Sequence, residues 1–245
     1  MELARKVALV TGAAGGTGTA VCRRLAAEGM IVALNGRRAE PLEALAAELR
    51  AAGGEALVVP GDCTQEAAAA EVVTRAAARG PVALLVHALN HPEFPNWPLE
   101  AITPERWDRA LTTKLRSAYL LSRALVPMML ARGEGTLVFI ASGGAVNPAP
   151  EFTAFIAGEF ALRGFALSLA LEVEPRGLHV ALLLPVGTID IPRTRQRAAA
   201  SGSQARPETW LAPEDLADAV VFLARQGPRA RTVELAVRPP APVYG

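Results

Sequence analysis

Cysteine is almost absent from this chain of 245 residues: Cys22 and Cys63 stand far apart, with no CxxC spacing. That argues against a disulfide framework or a thiolate metal site, and it fits a reducing cytoplasm. Aromatic residues make up only 5%, as expected where alanine-rich helices pack around a sheet. Charge of one sign is also missing. The formal net charge is +1 and no Lys/Arg block occurs, so no nucleic-acid surface is expected. No apolar run approaches ~18 residues, so no membrane span is expected. The first ten residues are too short and too charged for a signal peptide. No His/Cys/Asp cluster suggests a metal, and no Ser-His-Asp spacing can be argued. There is no internal repeat or low-complexity linker.

What is present is an apolar majority of 51%, in a chain long enough to bury a large core. Apolar β-rich runs read as strands at Lys6–Thr11, Met30–Asn35, Glu55–Pro60, Val82–His87, Thr136–Ala141, Leu178–Leu184 and Thr232–Val237. Helical periodicity lies between them, near 17–28, 40–52, 65–79, 104–131, 152–174 and 213–225. Near-continuous Val/Leu/Ile strands imply burial on both faces and hence a parallel sheet. The β–α alternation predicts a single doubly wound, Rossmann-like α/β domain with seven strands. One long stretch reads as irregular, Gly187–Leu211. It directly follows a strand, where ligands of such sheets bind, and is a candidate substrate lid.

Thr11-Gly12-Ala13-Ala14-Gly15-Gly16-Thr17-Gly18 lies between the first strand and first helix. Gly12 permits the tight turn, Gly16 a close backbone approach, and Gly18 helix–strand packing. The helix N-terminus then offers amides and a positive dipole to a pyrophosphate. After the second strand the chain reads Asn35-Gly36-Arg37-Arg38, with Gly36 where an NAD-binding chain carries an acid. Loss of that carboxylate and the gain of guanidinium groups predict NADP(H) rather than NAD(H). The competing reading makes both arginines part of a solvated helix start.

The spacing Thr-Gly-x-x-x-Gly-x-Gly resembles the short-chain dehydrogenase/reductase family. Asp62 after the third strand, Trp107-Asp108 in the long fourth helix, and Pro213-Glu214-Asp215-Leu216-Ala217 extend the resemblance over nearly the whole chain. It implies carbonyl/alcohol oxidoreduction, with Thr11, Gly12, Gly16, Gly18, Asn35, Arg37, Arg38, Asp62 and Cys63 at the cofactor.

At the chemical end the chain departs from the family. Ser142, at the end of the fifth strand, matches the family serine that hydrogen-bonds the substrate oxygen. Phe155 stands where the resemblance places the proton-transferring Tyr, Glu159 where it places Lys, and Lys114 at the position of an Asn. Phe has no ionisable proton, so the ordinary mechanism should be crippled. Lys114 and Glu159 change sign together and are expected to form a partly buried ion pair. The competing reading is two independent surface charges. His87-Ala88-Leu89-Asn90 replaces the family's Asn-Asn-Ala-Gly, and Pro185-Val186-Gly187 its Pro-Gly. These changes weaken the expected hold on the nicotinamide half.

The Phe155 region and the Thr232–Pro239 tail resemble a divergent branch of the family with Phe at the Tyr position. Glu159 departs even from that branch.

His87, His91 and Glu151 are further titratable candidates, and 91–98 reads as a rigid Pro-rich loop. Arg193, Arg195, Arg197 and Arg206 suggest an anionic small-molecule substrate at the lid, against a solvated arginine-rich helix.

Three readings stay open. One is an NADP(H) oxidoreductase with a modified mechanism. A second is a non-catalytic nucleotide-binding or partner subunit. The third is a non-redox enzyme (cyclase, isomerase or dehydratase) using Glu159 or a His. The resemblance also implies a homodimer or homotetramer through the two long helices, and the apolar surface of 151–174 fits it.

Overall fold

The computed structural model describes residues 2–89, 97–200 and 206–240. Its seven strands are β1 (Val7–Thr11), β2 (Ile31–Asn35), β3 (Glu55–Val58), β4 (Val82–His87), β5 (Thr136–Ile140), β6 (His179–Pro185) and β7 (Glu234–Val237). All neighbours pair in parallel, in the order β3-β2-β1-β4-β5-β6-β7. Alternate residues explain the layering. Ala8 and Val10 of β1 enter the core on one face, while Val7 and Leu9 enter the other. Every residue of β1, β2, β4, β5 and β6 is buried. Strands apolar on both faces need helices on both faces, and crossovers supply them.

The helices are α1 (Gly16–Ala27), α2 (Ala39–Ala51), α3 (Glu66–Ala76), α4 (Pro104–Leu111), α5 (Ser117–Leu130), α6 (Thr153–Val173), α7 (Pro192–Ala200) and α8 (Pro213–Arg225). The strand order reverses between β1 and β4, which opens a crevice at their carboxyl ends. The glycine loop and the turns after β2 and β3 meet there.

Three expectations need correction. The segment 104–131 is not one α-helix: a π-helical turn, Thr112–Arg116, separates α4 from α5 and holds Lys114. Gly187–Leu211 is not irregular throughout. It contains α7, and an Ile189–Leu211 bridge pins its ends together. Third, Thr153–Arg176 has a mean hydropathy of 1.5 over a membrane-span window, against the expectation of no such run. Here that helix packs on β6 and ties into the domain through Glu159 and through an Arg163–Glu234 ion pair at 2.6 Å. The loop residues 90–96, with His91, lie outside the described residues.

Candidate active site and nucleotide cleft

A cleft of about 620 Å3 opens at the switch point. Gly12, Ala14, Gly15, Asn35, Gly36, Arg37, Arg38, Asp62 and Cys63 line it, joined by Arg109, Thr112 and Thr113 from the far side. Thr11 ends β1 beneath it and accepts a hydrogen bond at Oγ1 from the Ala88 amide. Asn35 is a scaffold residue. Its amide group donates to Val59 and Gly61 carbonyls at 2.9 and 3.3 Å, and its Oδ1 accepts from the Cys63 thiol at 3.3 Å. Burial pushes that thiol up to about 12, so Cys63 is inert wall rather than nucleophile. Asp62 Oδ1 accepts from the Thr64 amide and hydroxyl, which fixes the turn after β3.

The residues fit a dinucleotide phosphate at the loop. Gly15 caps α1 without a side-chain hydrogen bond, and the first turn holds no acidic residue, leaving the amide end and its dipole for an anion. Gly12 adopts φ +65°, where an added Cβ would stand 2.8 Å from the Ala88 carbonyl. At Gly18 a Cβ would stand 2.1 Å from the Gly12 carbonyl, so the helix–strand role holds. At Gly16 the close neighbour is Ile191, just before α7, whose Cγ2 would lie 2.4 Å from an added Cβ.

Ser142 follows β5, and its Oγ accepts from the Gly144 amide at 3.0 Å, capping a short turn. Ser142 Oγ and Phe155 Cε1 both lie about 3 Å from where a Gly144 Cβ would stand. The Phe155 ring edge and the serine hydroxyl therefore share the neighbourhood of Gly144 and lie within roughly 6 Å of each other. Phe155 also stacks edge-on to Phe152 at 6.2 Å, and Lys114 Nζ lies 6.0 Å from its centroid.

Behind Phe155, Lys114 Nζ lies 2.5 Å from Glu159 Oε1. The pair is not partly but almost completely buried, with exposures of 3% and 0%. The other carboxylate oxygen, Glu159 Oε2, has no hydrogen-bond partner among the described residues. Beside the pair, fully buried His87 ends β4 and reaches Ser117 Oγ through Nε2 at 2.8 Å. Burial first, and the Lys114 charge second, hold its imidazole down at about 3. His87 is thus neutral throughout the physiological range and is no general acid. Sequence reasoning counted it only as a titratable candidate near the cleft; its link to Ser117 left no spacing signal.

Around α7, Arg195 makes a bidentate pair with Asp190 at 2.5 and 2.6 Å. Arg197 lies 5.9 Å over Phe152. Burial, reinforced by Arg197, lowers the Arg193 guanidinium from its usual range. Arg206 precedes the turn before α8. Glu151 is exposed, and its carbonyl accepts from the Trp97 amide. Among the described residues no His/Cys/Asp/Glu group could hold a metal ion.

The chain belongs to the short-chain dehydrogenase/reductase family. A family model described as short chain dehydrogenase matches residues 6–200. Human "Dehydrogenase/reductase SDR family member 4" is 32% identical over 235 residues, covering 91% of this chain and 82% of the relative. Nodulation protein G of Azospirillum brasilense is 31% identical, covering 91% and 92%. A metagenomic short-chain oxidoreductase solved with NADP is 32% identical and superposes with a TM-score of 0.81, over 99% and 100% of the chains. L-sorbose reductase from Gluconobacter frateurii, solved with NADPH and L-sorbose, is 26% identical with a TM-score of 0.87, over 98% of each chain.

Proposed function

We propose that this chain is an NADP(H)-binding oxidoreductase of the family whose carbonyl–alcohol chemistry runs weakly, because its proton-transfer set has been rebuilt. The observation that carries this reading is that Phe155, which has no ionisable proton, shares the neighbourhood of Gly144 with Ser142 while the Lys114 ammonium is held by Glu159. The adenosine half fits Gly15, Gly36 and Asp62, with Arg37 and Arg38 at the 2′-phosphate. A nicotinamide bound there supplies or accepts hydride. Ser142 orients the substrate oxygen through its hydroxyl. Phe155 excludes water and offers no proton, and Lys114 is the acid within reach of that wall. Releasing a proton from Lys114 leaves a neutral amine against an ionised Glu159, which gives up a buried charge pairing and slows the step.

Arg193 and Arg197 on α7 favour an anionic substrate, its charge near Phe152 and its carbonyl toward Ser142. The half-exposed Tyr119 and Phe160 and the exposed Leu171, on α5 and α6, fit pairing of two copies. Sedimentation at micromolar concentration tests that; a monomer contradicts it. The two buried, unpaired thiols fit a reducing cytoplasm.

A second reading, a non-catalytic nucleotide-binding subunit, is favoured by the tie between Lys114 and Glu159, which occupies the Lys114 ammonium. Calorimetric NADPH binding followed by NADPH oxidation against a carbonyl panel separates the two. Binding with turnover that vanishes in Ser142→Ala supports the oxidoreductase. Tight binding without turnover supports the subunit. Absence of nucleotide binding overturns both.

A further inference from the structure

The π-turn at Thr112–Arg116 has an identifiable cause. In an α-helix the Ser117 amide would donate to the Thr113 carbonyl. Here that amide turns to the Lys114 carbonyl, and the Ser117 hydroxyl takes Thr113 O at 2.5 Å. Side-chain competition of this kind weakens and bends a regular helix, and a single π-turn stands where it acts here. The Ser117 hydroxyl has one proton, spent on Thr113. It must therefore accept from His87, whose Nε2 stands 2.8 Å away. That fixes the tautomer: Nε2 carries hydrogen and Nδ1 is bare. His87 Nδ1 is buried without a partner among the described residues, consistent with a lone pair rather than an N–H.

We infer that His87 is a positioning residue: acting through Ser117, it locks the π-turn that delivers Lys114 to Glu159. The strand end that holds His87 is registered opposite Thr11, and the next amide, of Ala88, donates to Thr11 Oγ1. Three hydrogen bonds in succession, Ala88 to Thr11, His87 to Ser117 and Ser117 to Thr113, therefore link the glycine loop to the turn that carries Lys114. The charged groups facing His87 are Lys114 from the π-turn and, through it, Glu159 from α6. A protonated ring would confront the ammonium, so a neutral imidazole is what lets Lys114 stand in the core. Without the clamp, Thr113 O is free to accept the amide of residue 117. The turn then reverts to α and shifts register by one residue, roughly 100° of helix rotation. Lys114 leaves Glu159.

The functional consequence rests on Lys114 as the acid of the proposed reaction, but the test uses the nucleotide-free chain and no turnover. The chain has only two lysines, Lys6 and Lys114. Carbon-13 labelling of lysine side chains therefore gives two signals, with surface-paired Lys6 as internal control. In Ser117→Ala and His87→Phe the Lys114 signal should move to that of a hydrated lysine while Lys6 stays. Amide exchange at 114–117 should rise at least tenfold, and Ser117→Thr should restore both readings. An unmoved Lys114 signal in both variants overturns the inference. If His87→Phe fails to fold, the wild-type long-range proton–nitrogen spectrum decides. A bare Nδ1 from pH 5 to 9 is expected; an Nδ1–H tautomer, or titration near the ordinary imidazole value, overturns it.

Discussion

Lys114 and Glu159 lie 45 residues apart in sequence and meet at 2.5 Å in a place sealed from water. A pair so buried stabilises little beyond the desolvation it costs, but removing either partner strands a charge. Glu159→Gln or Lys114→Met should each lower unfolding free energy by about 3–5 kcal/mol. The double variant Lys114→Met/Glu159→Leu should recover that loss, or exceed the parent by about 1–4 kcal/mol. Urea denaturation of all four proteins measures the coupling. Additive losses would contradict the pairing.

His87 gives the fold an acid-sensitive side. An unfolded chain protonates this residue near its ordinary 6.5, whereas the folded ring holds out to about 3. Between those values the unfolded state binds more protons. Stability is therefore complete above about pH 6.5 and falls as pH drops through that window, by up to ~1.4 kcal/mol per unit from this group. His87→Phe should flatten the slope. Denaturation midpoints at pH 7, 6, 5 and 4 give the answer, and an equal slope in both proteins would exclude His87 as its source.

Nucleotide selectivity should reside in Arg37 and Arg38. A guanidinium bonded to a phosphate contributes about 1.5–3 kcal/mol, or about 10- to 100-fold in affinity. Arg37→Ala/Arg38→Ala should weaken NADPH by that factor and leave NADH nearly unchanged. Calorimetric titration with both dinucleotides checks this. Equal losses for the two would place the arginines away from the 2′-phosphate.

The chemical end can be rebuilt as a set. Phe155→Tyr with Glu159→Lys and Lys114→Asn replaces the ion pair by a phenol and one cation. Positioned proton transfer typically contributes ~10²–10⁴-fold. NADPH oxidation by a responsive carbonyl should rise by at least about 100-fold over the parent chain. No gain, in a variant shown to fold and bind NADPH, would locate the defect elsewhere in the site.

The fold was legible because its causes are local. Strands such as Val7–Thr11 are apolar on both faces, and the glycine loop declares the β1–α1 turn. The Lys114–Glu159 pair was legible because two residues changed charge together at positions the family brings near each other. Its depth of burial was not. Exposure depends on how α6 closes on the π-turn, and no periodicity encodes that. The π-turn holds a buried hydroxyl, Ser117, that bonds a carbonyl within its own turn and a His 30 residues away, a pairing no local pattern announces. α7 was legible only as the alternative of a solvated arginine-rich helix, because its Arg/Ala run has no apolar stripe to bury and so no periodicity to fix its bounds.

Ile191 on Gly16 has a consequence for how the glycine loop is to be valued. A methyl group at position 16 would meet the Ile191 side chain, 2.4 Å from its Cγ2, in the protein by itself. Gly16→Ala must therefore strain the empty protein, and trimming Ile191 to Ala should relieve it. The glycine loop and the segment after β6 are thus fitted to each other, and part of the demand for glycine at 16 comes from the folded chain itself.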